Sequence, residues 1–331
     1  RSAEAEFDTM GSEPVRILAV VGCLWTGCAD IAHVRAEFDQ ETGNEKLVLH
    51  VDAMERTTQN LRVPKEMSCG EGGPSNGHRV CNSASDSKGG AVGGTLLFDR
   101  GYLGLSTSEY RSTYGTVAES DPMVTIGMLR RHHVMEGLLR EVGVFQDVKF
   151  QLGHTSYKHT EFETPQATDG TRFDNKGHDF RLEGRQRNIS LSNGMQLEGV
   201  VGVQNERSDV QVRSRDGQSA LLPPSRTTST GVFTYQALKT SWGQVSAALR
   251  SESVVVASLD NADPTRFPSE EKRFNPRSVA LGALRNFRQG EAPTGWQLSS
   301  HLSWNQRAPK DYELFANGPH AATGTYEQGD R

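Results

Sequence analysis

The sequence predicts an all-β fold: part of an antiparallel transmembrane β-barrel with long external loops and short periplasmic turns. Three observations predict it. Apolar and polar residues alternate along many segments, tight turns alternate with long polar loops, and the composition is polar. The 331 residues are 35% hydrophobic, and the mean hydropathy of −0.58 excludes a helical membrane protein. A barrel is compatible with this composition, because only every second strand residue faces lipid.

The alternation is clearest in residues 296–305. Trp296, Leu298, Leu302 and Trp304 occupy even positions, and polar residues occupy the odd positions between them. A period of two predicts a strand with one apolar face and one polar face. The segment has roughly the 9–11 residues that a tilted strand needs to cross a bilayer. We therefore interpret Trp296 and Trp304 as members of an aromatic girdle rather than as ligand-stacking residues.

The same pattern recurs along the chain. Apolar rows occupy alternate positions in residues 47–53, 148–152, 180–184, 195–203 and 245–249. The opposite faces carry full charges, which would be costly in a dry protein core but suit a wide barrel with a wet interior. A soluble two-sheet protein is the alternative that alternation by itself leaves open.

Turn chemistry separates these strands at regular intervals. Candidate tight turns are Asp99-Arg100-Gly101, Gly143-Val144-Phe145, Ser192-Asn193-Gly194, Thr240-Ser241 and Gly290-Glu291-Ala292. Asn-Gly between alternating segments is a strong hairpin signal. Strands of about 10–12 residues would fill half of each interval and leave long polar loops, such as residues 206–230 and 261–277. We expect about ten to twelve strands, with no helix except a turn at residues 311–315.

The cysteines and the first residues give further expectations. Cys69 and Cys81 flank a Gly/Pro/Asn-rich segment and suit a loop disulfide in an oxidising compartment, whereas a zinc site with His78 would lack ligands. Residues 1–45 are poorly assigned. Their run 15–28 fits either a pair of strands or a lipoprotein-type export signal after Met10.

Several function classes are excluded at this point. No catalytic constellation is present, so we predict neither an enzyme nor a bound cofactor. A net charge of −5 without a basic stripe argues against nucleic acid as a partner.

Four residues are candidates for ligand binding. His50 and Asp52 share a polar face, His301 lies on the polar row of its strand and should face the lumen, and His320 follows that strand. A metal site needs three or more such groups to converge. The alternative is that each is an isolated wall or loop residue, so the identity of any metal is unknown.

The remaining histidines include three on predicted strands. His132 and His133 are adjacent and would face opposite sides, so they cannot bind one ion together. His154 falls on an apolar row near an expected strand end, which indicates a position at the membrane interface.

The last segment carries a long motif. Residues 306–315 read Gln-Arg-Ala-Pro-Lys-Asp-Tyr-Glu-Leu-Phe, and residues 318–330 continue Gly-Pro-His-Ala-Ala-Thr-Gly-Thr-Tyr-Glu-Gln-Gly-Asp. This resembles the mid-barrel motif of TonB-dependent outer-membrane receptors. Residues 157–163 and 170–175 resemble the family's Y-x-H-x-E strand end and G-T-x-F-x-N loop, and residues 104–115 and 222–233 agree with it. The pattern is most similar to that of receptors associated with zinc uptake.

The resemblance implies a fold and a function. Residues 46–331 would form the first half of a barrel of about 22 strands, and neither a plug domain nor a TonB box is recognisable. Such receptors take up a scarce nutrient, here a metal ion such as zinc or a metal chelate, across the bacterial outer membrane. Their partners are outer-membrane lipid, the nutrient and the TonB energising complex, which acts through the plug. Arg307, Pro309 and Glu313 match motif positions and are expected to fix the strand-to-turn geometry.

Two other functions use a similar sheet. One is a passive outer-membrane pore or adhesin without a plug. The other is a soluble all-β binding module.

Overall fold

A computed structural model describes most of the chain. It leaves out residues 1–2, 7–14, 24–28, 43–44, 70–74, 118–122, 163–168, 216–220, 290–291, 321–322, 324 and 331. For residues 3–6, 15–23, 29–42, 45, 288–289 and 292–294 it describes the backbone alone.

Strands dominate the described residues. They are β1 (Ala3–Glu6), β2 (Val15–Cys23), β3 (Ala29–Thr42), β4 (Glu45–Thr58), β5 (Ser85–Phe98), β6 (Gly101–Gly115), β7 (Thr125–Val142), β8 (Phe145–Phe162), β9 (Thr171–Gln186), β10 (Ile189–Ser190), β11 (Gln196–Arg213), β12 (Ser225–Thr240), β13 (Gly243–Ser258), β14 (Glu270–Phe274), β15 (Arg277–Gln289), β16 (Ala292–Asn305), β17 (Asn317–His320) and β18 (Thr325–Gln328). One five-residue helix, α1 (Asp311–Phe315), precedes β17 in the part of the chain that is described.

The first sixteen strands form one antiparallel sheet in which each long strand pairs with the next along the chain. The order runs from β1 to β16, with the short strands β10 and β14 pairing at the side with β11 and β13. This up-and-down order confirms the predicted antiparallel fold class. The described main path contains fourteen strands, compared with an expectation of about ten to twelve. Eleven of them run from β4 onward, and β1–β3 come from the segment that was poorly assigned.

The strands are longer than predicted. β7, β8 and β11 each contain 18 residues, and β12 and β13 contain 16. The predicted loop over residues 206–230 is therefore wrong at both ends, because residues 206–213 belong to β11 and residues 225–230 belong to β12. The predicted loop over residues 261–277 also contains β14. Polar residues extend the ladder beyond the apolar rows, so polarity does not mark the end of a strand here.

Tight turns and long loops lie at opposite ends of the sheet. Two-residue turns at 99–100, 143–144 and 241–242 join β5 to β6, β7 to β8 and β12 to β13. Asn193 and Gly194 have φ of 62° and 71°, as the predicted Asn-Gly hairpin requires. The predicted turn at Gly290-Glu291 lies outside the described residues. From β4 onward, segments of 8 to 26 residues connect the strands at the other end, the longest being residues 59–84.

The two faces of the sheet differ in chemistry. One face, called the outer face below, exposes apolar side chains, including Leu49, Leu105, Leu152, Leu249, Leu281, Leu298 and Leu302. Trp296 is 77% exposed and Trp304 is 58% exposed on this face. The opposite, inner face carries ion pairs between and along strands, including Lys149–Glu136, Arg181–Glu183 and Lys239–Glu198. A soluble domain would have to cover so extensive an apolar surface.

A small buried core lies on the inner face at the loop end. Val212, Val254 and Val256 from β11 and β13 pack with Leu221, Leu222, Leu314, Phe315 and Ala316. The helix at residues 311–315 confirms the one helical turn predicted from the sequence. It is anchored by Ser225 Oγ, which donates a hydrogen bond to Asp311 Oδ2 over 2.7 Å. Among the described helical residues, no helix has the length and apolarity to cross a membrane.

Substitutions at two adjacent residues of β16 test which face of the sheet meets lipid. Leu302 and Ser303 are adjacent exposed residues of β16 that point to opposite faces. If the outer face meets hydrocarbon, Leu302→Arg should lower the free energy of unfolding in phospholipid vesicles by about 2–4 kcal/mol. Ser303→Arg should change it by less than about 0.5 kcal/mol. Urea titration of both variants measures the difference, and equal effects would contradict the assignment of the two faces.

Candidate functional site

The candidate site lies at the loop end of β8. Tyr157, His159 and Glu161 alternate along this strand, so their side chains share the inner face. The Glu161 side chain is 3% exposed although it carries a carboxylate. A carboxylate this buried requires partners that compensate for its lost hydration.

The partners of Glu161 are histidines from two elements. His320, the last residue of β17, places Nε2 3.5 Å from Glu161 Oε1. His159 Nε2 lies 3.7 Å from the same oxygen. On its other side, His320 Nδ1 donates to Glu327 Oε1 over 2.7 Å. His159, Glu161, His320 and Glu327 are called the His320 cluster below.

Aromatic rings hold the imidazoles in place. Phe173 of β9 stacks on His159 with ring centroids 4.2 Å apart and lies 6.4 Å from the His320 ring. Tyr157 meets His159 edge-on at 5.5 Å. The cluster therefore joins β8 to the separate β17–β18 hairpin, and Phe173 adds a contact from β9.

The segment after β16 sets the position of this hairpin. Both guanidinium nitrogens of Arg307 donate to the Glu313 carboxylate over 2.6 Å, and the Lys310 backbone N–H donates to the same carboxylate over 2.7 Å. These bonds tie the end of β16 to the first turn of α1. Pro309 lies between Arg307 and Glu313 in the chain and is partly buried. Arg266 Nε then donates to the Asn317 carbonyl oxygen over 2.6 Å, which fixes the start of β17.

Charges at the site shift two titration equilibria. The hydrogen bond to Glu161, with a further one to Glu327, raises the pKa of His320 to about 9, although burial acts in the opposite direction. The Arg307 guanidinium, with the Lys310 N–H, lowers the pKa of Glu313 to about 2. His320 is therefore protonated at neutral pH and forms an ion pair with the two carboxylates.

Two polar atoms of the cluster have no hydrogen-bond partner among the described residues. Glu161 Oε2 and His159 Nδ1 are buried and make no hydrogen bond. Unpaired buried polar atoms are costly, so such atoms indicate a place where an external group can bind. Imidazole and carboxylate are ligand types that zinc and copper accept. However, no three His, Cys, Asp or Glu side chains in the described part of the chain are arranged to hold a metal ion.

The structure brings one of the four predicted ligand residues to this site. His320 belongs to the cluster. His50 and Asp52 bond with each other on β4 over 2.9 Å, and His301 is exposed on β16. Nine strands separate β4 from β16 in the order of the described sheet.

Sequence reasoning missed His159, Glu161 and Glu327 as site residues. The first two were visible in the Y-x-H-x-E motif, because a period of two places both on one face. Glu327 was hidden, because its proximity to His320 follows from the register of the β17–β18 hairpin, in which Gly318 pairs with Glu327 and His320 with Thr325.

The other predicted structural residues lie away from the cluster. Cys69 and Cys81 form a disulfide with Cα atoms 5.5 Å apart, within the long β4–β5 connection. Trp296 and Trp304 lie on the outer face, where a ligand in the lumen would not reach them. His154 lies in the middle of β8, so its predicted place near a strand end is wrong. The strand continues beyond it for eight polar and aromatic residues, seven of which pair with β9.

Comparisons with known proteins identify the fold. No family model and no curated protein matches the chain. Its structure is similar to the copper transporter OprC, with a TM-score of 0.66, 14% identity and coverage of 93% of this chain and 47% of that one. It is also similar to the Serratia marcescens hemophore receptor HasR, solved with its hemophore HasA and heme. There the TM-score is 0.65 at 14% identity, covering 97% of this chain and 49% of that one.

The chain therefore shares the antiparallel β-sheet fold of these two proteins. It spans about half the length of the two matched proteins. One of these proteins is named a transporter and the other a receptor. At this level of identity the likeness supports the fold class predicted from the alternating strands.

The His320 cluster generates a pH-dependent prediction. A histidine whose pKa rises on folding, here from 6.5 to about 9, stabilises the folded site fully below pH 6.5 and loses this effect as pH rises through 9. Hydrogen–deuterium exchange, corrected for intrinsic rates, should show protection of the β17–β18 amides falling at least about tenfold over this range.

A control separates this effect from general loosening at high pH. His320→Gln should make the protection independent of pH between 6.5 and 9, and His301→Gln should leave the wild-type dependence. A pH dependence that survives in His320→Gln would assign the change to another group.

Proposed function

We propose that this chain is barrel wall of a TonB-dependent receptor in the bacterial outer membrane, which takes up a metal ion or a metal chelate. The observation that carries the proposal is the two-faced sheet: apolar outside, charged inside, with tight turns at one end and long loops at the other. A sheet in a bilayer requires this division, because lipid and water meet opposite faces of every strand.

The names of the matched proteins support the class of cargo. OprC is named a copper transporter and HasR a hemophore receptor solved with heme, so their cargoes are a metal ion and a metal chelate. We extend this class to the present chain as part of the proposal. Zinc belongs to it as the specific cargo that the sequence motif favours.

The His320 cluster is the proposed contact point for the cargo. It lies on the inner face at the loop end, where a ligand captured by the loops would enter the lumen. Glu161 Oε2 and His159 Nδ1 are buried there and have no partner in the described part of the chain. An incoming cation would compete with protonated His320 for Glu161, and the remaining ligands would come from the cargo or from groups beyond this cluster. His50, Asp52 and His301 are proposed secondary contacts along the inner wall.

Energy for uptake would come from the TonB complex acting through a plug domain. A passive pore or adhesin is the second candidate, because its wall would have the same two faces. The core around Leu314 and Phe315 favours a receptor, since it places α1 and the following hairpin over the inner face, where an open pore would keep free space.

The test is uptake by cells that carry the protein. Energised accumulation of radiolabelled copper, zinc or heme should require the protein and should stop when the proton gradient is collapsed. Glu161→Gln should reduce uptake at limiting cargo by roughly ten- to hundredfold, the effect of losing a charged hydrogen bond. Glu271→Gln, an exposed residue of β14, is the matched control and should retain uptake.

Two results would contradict the proposal. Uptake that continues after the gradient collapses would indicate a passive pore. Full uptake in Glu161→Gln would show that the His320 cluster does not contact the cargo.

A further inference from the structure

A straight row of polar residues crosses the outer face where its apolar surface ends. Successive cross-strand partners from β6 to β11 form it: Thr107, His133, His154, His178 and Arg207. These five residues are called the histidine row. A row of three histidines on a face that otherwise exposes leucine is unexpected for a wall that is covered by hydrocarbon.

Neighbouring imidazole rings of this row contact each other. The His133 and His154 rings are stacked with an interplanar angle of 6° and centroids 6.2 Å apart, and His154 and His178 are 4.5 Å apart. Thr107 Oγ1 and His133 Nδ1 share a hydrogen bond of 2.8 Å. His154 Nδ1 is buried without a partner among the described atoms. The row therefore presents ring nitrogens that the protein itself does not fully use.

An apolar groove lies directly below the row, on the side of the tight turns. Its walls are Leu49, Leu105, Met135, Leu152 and Phe180, and His133, His154 and His178 form its upper rim. The groove encloses about 770 Å³ and opens outward. This volume is comparable to pockets that accept extended organic ligands.

Basic residues dominate above the row, on the side of the long loops. Two further rows of cross-strand partners lie on this side of the histidine row, between β6 and β12. Counted together with Arg207, they contain six basic residues and three acidic residues. The basic residues are Arg111, Arg131, Lys158, Lys176, Arg207 and Arg226, and the acidic residues are Glu109, Asp174 and Asp209. This local excess of positive charge contrasts with the net charge of −5 for the whole chain.

We propose that the histidine row and the groove below it bind a phosphorylated lipid of the outer leaflet. Its phosphate would lie against the histidine row and the basic residues, and one acyl chain would fill the groove. The inference rests on the proposed membrane location, because bilayer lipid would then cover this face at this depth. Basic clusters beside apolar membrane surface are the usual recognition sites for anionic headgroups.

Histidine suits this depth better than lysine or arginine. A neutral imidazole loses less hydration free energy than a cation at the edge of the hydrocarbon, yet its ring N–H can still donate to a phosphate oxygen. The stacked rings also need little further ordering when the headgroup binds, which reduces the entropic cost of binding. The row thus joins an apolar groove to a charged surface without placing full charges inside the hydrocarbon.

The test measures lipid binding to the protein in phosphatidylcholine nanodiscs. Titration with diphosphorylated lipid A, followed by native mass spectrometry, should show at least about tenfold tighter binding than dephosphorylated lipid A. Excess inorganic phosphate should compete weakly, because it lacks the acyl chain. Equal binding of the two lipids, or competition by inorganic phosphate as strong as by lipid A, would overturn the proposal.

Variants locate the effect on the histidine row. The pair His154→Phe and His178→Phe keeps two adjacent aromatic rings but removes the N–H groups, and it should abolish the preference for the phosphorylated lipid. His132→Phe, at an inward-facing position of β7, should keep the preference. Retention of the preference in the paired variant would overturn the assignment.

A second variant tests the basic residues, and a folding assay tests barrel formation. Lys176→Gln with Arg131→Gln alters exposed residues and should weaken lipid A binding by several-fold, so unchanged binding would count against the proposal. Heat-modifiable migration on gels reports barrel formation in every sample. Its absence in the wild type would refute the membrane barrel itself, whereas its presence without lipid preference would refute the lipid site.

Discussion

In the proposed membrane setting the whole structure depends on one constraint: in hydrocarbon, every backbone N–H and C=O must find its partner within the protein. An antiparallel ladder meets this demand while leaving both faces of each strand available for side chains. Because successive side chains point to opposite faces, the same ladder requires apolar residues on one face and tolerates charges on the other. The exposed leucines of β13, β15 and β16 and the ion pairs of the inner face follow from this division.

The sequence predicts those parts of the fold that are determined by interactions between residues close together in the chain. Alternation predicts the strands, Asn193-Gly194 predicts a turn because both residues tolerate positive φ, and residues 311–315 form the expected helical turn. Strand ends were predicted poorly, since residues 206–213 are polar yet remain paired in β11. Once strands pass the apolar belt, water and ladder hydrogen bonds both permit polar residues, and composition no longer separates strand from loop.

The candidate site was predicted less well than the fold, because its contacts are distant in sequence. Glu161 and His320 are brought together by the position of α1, the Arg307–Glu313 pair and the hairpin register, which alternation does not encode. The sequence motif made His320 a candidate for ligand binding. Glu161 becomes a site residue because it is buried next to His159 and His320. The same holds for the histidine row, where strand register aligns His133, His154 and His178 from three different strands.

The most direct test of the central claim is the environment of the outer face. Single-tryptophan versions of the protein, retaining Trp296 or Trp304, can be examined in vesicles that contain brominated phospholipids. The structure predicts strong quenching by lipid bromine and weak quenching by water-soluble acrylamide at both positions, since both side chains lie exposed on the apolar face. Strong acrylamide quenching without bromine quenching would place this face in water and contradict the membrane barrel.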